Sequence, residues 1–258
     1  MDYFEKIEQN IYSDLAWNIP DKKQGSVSLI GGNSQNFNNI IKTAEKISDK
    51  YPVESVKVFL PDTLKTKLPP LENFIFLPST ESGSFSESDQ LNEALNMADF
   101  NILTGDFSKN SITAKAVSSA CVFAEKSSLL TRDTIDCITL DNPERLLMNE
   151  NIIIFASMLG IQKLLHSVYY PKVILLSQPI MQIAETLHKF TLSYPVSIIT
   201  LFNEQVLIAK NGAVKAVPLE KTPYTPLTLW MGDFASKMAI MNLYNPNNFE
   251  KATISSLF

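Results

Sequence analysis

The step Gly232-Asp233 is the part of the sequence that could do chemistry most directly. Pro223 and Pro226 precede it, and apolar side chains follow it at helical spacing: Phe234, Ala235, Met238, Ala239 and Met241. This spacing predicts that a buried helix begins at the step. The free N–H groups of a helix's first turn hold a phosphate readily, and an Asp there can act as a base. The alternative is that Asp233 only caps its helix.

Other glycines and carboxylates stand where predicted strands end. Gly31-Gly32-Asn33 closes one apolar run, Gly105 closes a second, and Asp133 closes a third. Ligands gather at the carboxyl ends of strands in α/β sheets. If Asp133 lies near Asp233, the two carboxylates could share a substrate or magnesium. The alternative is an Asp that pairs with Arg132 or with solvent.

The elements that would position these residues alternate between strand and helix. A helix is predicted over residues 3–15, and segment 173–176 reads as a strand or a helix start. A short strand followed by the Gly31-Gly32 turn is predicted within residues 21–33, and further strands are predicted at 56–61, 74–78, 101–106, 129–133, 152–157, 196–200 and 205–209. Helices are predicted at 38–48, from the end of the loop 79–89 to about residue 98, and at 111–126, 160–168 and 180–190. The pattern predicts one α/β domain over 1–258, with a three-layer αβα sheet, mostly parallel, that ends in a small β meander.

The composition excludes several classes of function. Lys and Arg number 22 against 27 Asp and Glu, so the net charge of −5 lacks the basic field of a non-specific nucleic-acid binder. No run approaches the roughly twenty apolar residues of a membrane span, so we expect a cytoplasmic protein without a membrane partner. Cys121 and Cys137 are expected to be free buried thiols. His166 and His188 fall in helical patterns as surface or boundary residues, and no metal cluster is predicted.

The segment Trp230-Met231-Gly232-Asp233 resembles the Gly-Xaa-Gly-Asp signature of the ribokinase-like superfamily. In that signature the glycines form an anion hole and the Asp is the catalytic base. From about Ile19 to Asn245, the order of motifs resembles the NAD(P)H-hydrate dehydratase family, which repairs damaged nicotinamide cofactor. The resemblance implies a ribokinase-like fold and a catalytic role for Asp233.

The resemblance also implies the ligands. The predicted substrate residues are Gly31, Gly32, Asn33, Phe37 and Asp133, which would bind the NAD(P)H hydrate. The predicted phosphate-binding residues are Gly232, Met231 and Gly105. ADP or ATP, with or without Mg²⁺, would phosphorylate the hydrate's hydroxyl, and the phosphate would then be eliminated. Members of the family commonly form homo-oligomers.

Several family residues are replaced in this chain. Trp230 stands for the first glycine of the signature, residues 156–161 lack the family's His and Glu, and residues 200–203 lack its Lys-Gly. Lys210, Lys215 or Lys237 would take the place of that lysine, or else belong to a solvated turn or helix face. The competing hypothesis is therefore a non-catalytic member that binds a nucleotide, a dinucleotide or a protein partner. A third hypothesis is a kinase acting on a small hydroxylated substrate.

Overall fold

The computed structural model describes residues 2–12, 14, 19–141 and 143–258. Their strands are β1 (Phe4–Lys6), β2 (Ser26–Gly31), β3 (Ser55–Pro61), β4 (Phe74–Leu77), β5 (Phe100–Gly105), β6 (Ser127–Thr131), β7 (Ile152–Phe155), β8 (Ser197–Phe202), β9 (Gln205–Lys210) and β10 (Ala213–Pro218). Their helices are α1 (Asn38–Lys50), α2 (Asp89–Ala94), α3 (Ser111–Val122), α4 (Thr134–Leu140), α5 (Glu144–Leu147), α6 (Met158–Ser167), α7 (Ile180–Ser193), α8 (Pro226–Leu229), α9 (Asp233–Tyr244) and α10 (Phe249–Leu257).

The strands form one sheet in the order β1-β10-β9-β8-β7-β6-β5-β2-β3-β4. Neighbours from β4 through to β8 run parallel, whereas β8, β9 and β10 form an antiparallel meander. The tight turn at Asn211-Gly212, both with positive φ, joins the last two strands. The predicted α/β fold, with its mostly parallel sheet and its small C-terminal meander, is confirmed.

Helices cover both faces of the sheet. Alternate residues of a strand point to opposite faces, so Ile198 packs against one helix layer and Ile199 against the other. Helices α2 to α7 cover the first face, and α1, α8, α9 and α10 cover the second. Apolar burial on both faces stabilises this three-layer arrangement.

The prediction of a helix over residues 3–15 is wrong, because part of this segment forms a strand. Phe4–Lys6 is β1, which pairs in parallel with β10 through Phe4 and Val214. The apolar residues there do recur at helical spacing, but pairing with an open sheet edge overrides that local preference. Residues 13 and 15 of the prediction lie outside the described residues. Segment 173–176 is also neither strand nor helix.

Both cysteine thiols are free and buried, as predicted. Burial raises the pKa of each thiol to about 12, so neither is a reactive thiolate near neutral pH. In the described ranges, no cluster of three or more His, Cys, Asp or Glu side chains could hold a metal ion. None of the described helices combines the length and the apolar character needed to cross a membrane.

Candidate functional site

The predicted site residues meet at the carboxyl edge of the sheet. Strands β2, β5, β6 and β7 are neighbours, so the turns that follow them lie side by side. The start of α9 packs over the same edge, where Gly232 and Ala235 line a small cavity together with Thr104, Thr131 and Phe155. Residues from four separate parts of the chain are therefore brought to one place.

Gly232 is the N-cap of α9 and has a φ of +94°. A Cβ added there would find its nearest neighbour, the Thr43 hydroxyl, at 3.7 Å. Glycine is needed here because of the backbone angle, since there is room for a side chain. The first helical bond runs from the Ser236 N–H to the Gly232 carbonyl, so the N–H groups of residues 233–235 point out of the helix start. Met231 precedes this turn and is exposed.

Gly232 is the N-cap residue and Asp233 is the first residue inside the helix, so the alternative that Asp233 caps the helix is wrong. Its carboxylate accepts a hydrogen bond at 2.7 Å from the ammonium of Lys46 on α1. Both side chains are about half exposed. The pKa of the Tyr224 phenol is raised to about 12, mainly by burial and to a smaller extent by Tyr51 and the charge of Asp233. Lys46 lies in no recognisable motif, so no sequence pattern predicts this pair.

The turns after β5 and β6 hold each other through carboxylates. The Asp133 carboxylate accepts a bond at 2.7 Å from the Asp106 N–H, and Asp106 makes a two-bond ion pair with Arg132 at 3.0 and 3.1 Å. Asp106 and Arg132 both have positive φ, which is uncommon for residues other than glycine. Burial raises the pKa of the Asp106 carboxyl. The positive charge of Arg132 lowers that pKa, and the negative charge of Asp133 raises it further. Arg132 therefore pairs with Asp106, and the predicted Asp133–Arg132 pair is wrong.

Gly105 lies between these two turns with a φ of +81°. A Cβ at Gly105 would lie 2.2 Å from an oxygen of Asp133. The glycine is therefore needed for the packing of the two turns against each other.

The Gly31-Gly32-Asn33 turn is bonded to the same neighbours. The Gly32 N–H donates to the Gly105 carbonyl at 2.9 Å, and the Asn33 amide donates to the Asp106 carbonyl at 2.6 Å. The Asn33 side-chain oxygen accepts from the N–H groups of residues 35 and 36. Phe37 is the N-cap residue of α1 and packs against the core. The polar atoms of Asn33 thus already have partners within the protein.

Residues 79–85 form a loop that lies on this turn. The Ser34 N–H donates to the Gly83 carbonyl at 2.8 Å. From the other side, Asn110 donates to the Ser82 hydroxyl at 2.9 Å, and the Ser108 N–H donates to the Ser84 hydroxyl at 3.1 Å. The loop therefore covers the turn predicted to border the substrate.

Three aromatic side chains fill the centre of the edge. The Trp230 ring stacks on Phe155 with the ring centres 4.4 Å apart, and Phe234 meets Phe155 edge-on at 5.2 Å. The cavity that Phe155 and Trp230 line has a volume of about 20 Å³. This is room for about one water molecule. The resemblance to the Gly-Xaa-Gly-Asp signature places Trp230 at the position of a glycine, but its stacking partner is a tertiary contact that no local pattern predicts.

The three lysines considered as phosphate ligands have other surroundings. The ammonium of Lys210 lies 4.7 Å from the centre of the Phe249 ring, and Lys215 pairs with Glu5 and Glu250. Burial lowers the pKa of Lys237 and of Lys210. Lys215 is therefore already neutralised by two carboxylates.

Comparison with solved structures identifies the architecture. The chain superposes on a ribokinase-like superfamily protein from Enterococcus faecalis with a TM-score of 0.67 at 15% identity, covering 100% of this chain and 85% of that one. The chain has the ribokinase-like fold. An ADP/ATP-dependent NAD(P)H-hydrate dehydratase from Bacillus subtilis, crystallised with ATP and Mg²⁺, gives 0.62 at 9% identity, covering 98% and 86%. A hypothetical protein from Streptococcus mutans gives 0.62 at 15% identity, covering 97% and 87%.

No protein-family model and no curated protein matches the chain. At identities of 9–15%, these structures establish the shared fold and leave the activity to be argued from the site.

Proposed function

We propose that this protein is a ribokinase-like scaffold that acts by binding and does not transfer a phosphoryl group at Gly232-Asp233. The observation that carries the proposal is the cavity of about 20 Å³ beside the Trp230–Phe155 stack. Ligand pockets usually measure about 300 to 1,000 Å³. An acceptor hydroxyl could reach the start of α9 from this side only after the tryptophan moved.

The charged groups of the edge support the same proposal. Asp233 is bonded to Lys46, Asp106 to Arg132, and Asp133 to a backbone N–H. A general base must direct a lone pair at the proton that it removes. Phosphoryl transfer also needs cations on the phosphates, and residues 200–203 supply none. The chain keeps the scaffold, while the groups that would act on a phosphate are engaged with each other.

A thermal-shift panel with ADP, ATP, AMP, NAD, NADH and Mg²⁺ tests this proposal. A ligand at about a hundred times its dissociation constant stabilises the native state by about 2.7 kcal/mol, which is a clear shift. We expect no shift with any member of the panel, and a known ATP-binding kinase serves as the positive control. A shift with ADP or ATP would contradict the closed carboxyl edge on which the proposal rests.

The second candidate is the nucleotide-dependent NAD(P)H-hydrate dehydratase. Two observations favour it, the positive φ of Gly232 and the outward N–H groups at the start of α9 beside Asp233. The substrate hydroxyl oxygen would attack the terminal phosphorus of the nucleotide, the bond from that phosphorus to the nucleotide would break, and Asp233 would take the hydroxyl proton. Loss of the phosphate from carbon would follow.

Recovery of NADH from its hydrate, with ADP or ATP supplied, separates the two candidates. The second candidate predicts turnover by the wild type and its loss in Asp233→Ala, with a melting temperature within a few degrees of the wild type. Absence of turnover in the wild type, together with no nucleotide shift, supports the binding scaffold. Turnover that survives Asp233→Ala would exclude Asp233 as the base.

A further inference from the structure

A large open groove lies away from the carboxyl edge of the sheet. It has a volume of about 1,140 Å³ and lies between α4, α5, α6 and the chain from residue 167 to 174. Its walls include apolar and aromatic side chains, among them Leu165, Val168, Tyr170 and Ile174. This volume exceeds that of the cavity at Trp230 more than fiftyfold. The groove is therefore large enough to hold a small molecule without a rearrangement of the protein.

The apolar character of the groove continues onto its rim. Tyr169 is 91% exposed and Val173 is 68% exposed. Leu175 and Leu176 extend the exposed apolar surface along the chain. This is the segment whose apolar residues suggest a strand or a helix start, yet of residues 173–176 only Ile174 is buried. Contiguous exposed apolar side chains on a soluble domain mark a binding surface.

The segment is held in place without regular secondary structure. The Gln162 side chain on α6 donates to the Ile174 carbonyl, and the Leu175 N–H donates to the Gln178 side chain at 2.9 Å. Defined hydrogen bonds therefore hold the backbone of the rim at residues 174 and 175.

The charges around the groove have a surplus of lysine. Asp136 binds both Lys163, at 2.6 Å, and Lys109, at 2.9 Å. Glu185 likewise binds Lys172, at 3.0 Å, and Lys189. Lys163 and Lys172 line the groove, as does one carboxylate, that of Glu144. With Glu144 counted, four lysines face three carboxylates, which leaves one excess positive charge around the groove.

We propose that this groove binds a small amphipathic anion, a molecule with an apolar body and one carboxylate or phosphate group. The apolar walls would take the body out of water, and the surplus lysine charge would attract the anionic group. Lys163 and Lys172 could each turn to a ligand while Lys109 and Lys189 still neutralise the carboxylates. The proposal does not depend on the account of Gly232-Asp233, because the two sites share no residue.

Four probes with the same eight-carbon chain and different head groups test which ligand charge the groove prefers. Octanoate, octyl phosphate, octanol and octylammonium are titrated below their aggregation concentrations against the fluorescence of a bound anilinonaphthalene sulfonate. We expect both anions to displace the dye at least tenfold more tightly than octylammonium, with octanol between them. Comparison of octanoate with octyl phosphate then shows which anionic group is preferred. Equal binding of the anion and the ammonium would overturn the proposal.

Variants place the binding in the groove. Val173→Asp puts a charge on the exposed rim and is expected to weaken octanoate binding at least tenfold. The matched control is Ile112→Asp, since Ile112 is 57% exposed on α3 and does not line the groove. Thermal melting of each variant verifies folding. Unchanged binding to a folded Val173→Asp would overturn the proposed location.

A second pair of variants tests the role of charge. Lys163→Gln combined with Lys172→Gln removes two charges while each carboxylate keeps its other lysine. We expect the preference for octanoate over octanol to disappear, with octanol binding unchanged. The control is Lys115→Gln, whose lysine pairs with Glu87 elsewhere. A preference that persists in the folded double variant would overturn the role assigned to the lysines.

Discussion

At the scale of single residues, the carboxylates at the carboxyl edge of the sheet show that a sequence motif does not by itself define a functional site. Asp233 is the residue predicted to act as a phosphoryl-transfer base, but its carboxylate faces Lys46 on the neighbouring helix. Asp133 and Asp233 were predicted as a possible shared pair, and the structure gives them different partners. The types of these residues were readable from the sequence. Their partners were not, because those lie on other elements of the chain.

The phenol of Tyr224 reports the position of Asp233. Burial first, then Tyr51 and Asp233, raise its pKa from 10.0 to about 12. We predict that Asp233→Asn lowers this pKa, because the asparagine no longer repels the phenolate. Ultraviolet absorbance of the phenolate during a pH titration measures it, with Tyr224→Phe identifying the signal. An unchanged Tyr224 pKa would place the Asp233 carboxylate elsewhere.

The same shift has a defined sign for stability. The folded pKa lies above the ordinary value of 10.0, so the stability due to the neutral phenol is present below pH 10 and is lost as the pH rises towards about 12. The wild type should therefore lose more unfolding free energy than Tyr224→Phe over that interval.

At the scale of elements, most strands of the parallel sheet were predictable because turn-forming residues such as Gly31, Pro61, Pro78 and Gly105 follow or close their apolar runs. The failures are the segments whose structure depends on distant partners. β1 forms because β10 offers an open edge to Phe4–Lys6. Helix α10 was not predicted, since its buried side chains include Thr253, Ser255 and Ser256, which give no apolar stripe.

Gly105 gives a test of how the turns after β5 and β6 pack. Gly105 and Gly232 both have positive φ, so alanine costs about 1–2 kcal/mol at each through the backbone. Only at Gly105 does the new Cβ meet a carboxylate oxygen, at 2.2 Å. We predict that Gly105→Ala loses about 1–3 kcal/mol more unfolding free energy than Gly232→Ala, as measured by urea denaturation.

A double variant separates the steric and the backbone contributions to the destabilisation caused by Gly105→Ala. Adding Asp133→Ala makes room for the Cβ, so the two substitutions together should cost less than the sum of their separate effects. Strict additivity would show that Asp133 does not press on Gly105.

At the scale of the whole molecule, the sheet and its two helix layers have the ribokinase-like fold, and side chains of the protein itself fill the carboxyl edge at Trp230 and Phe155. The apolar alternation and the βα order predicted this architecture because both arise from burial on two faces of a sheet. A single domain, a homo-oligomer and a cytoplasmic location stay predictions. The dehydratase activity likewise depends on whether the edge can open.

Calorimetric titration of ADP and of ATP with Mg²⁺ into the wild type, Trp230→Ala and Trp230→Phe tests the closed edge most directly. Phenylalanine keeps an aromatic stack on Phe155, whereas alanine removes it and enlarges the cavity. We expect no binding heat from the wild type or from Trp230→Phe, and measurable nucleotide binding by folded Trp230→Ala. Binding by the wild type as tight as by Trp230→Ala would contradict the claim that Trp230 closes the site.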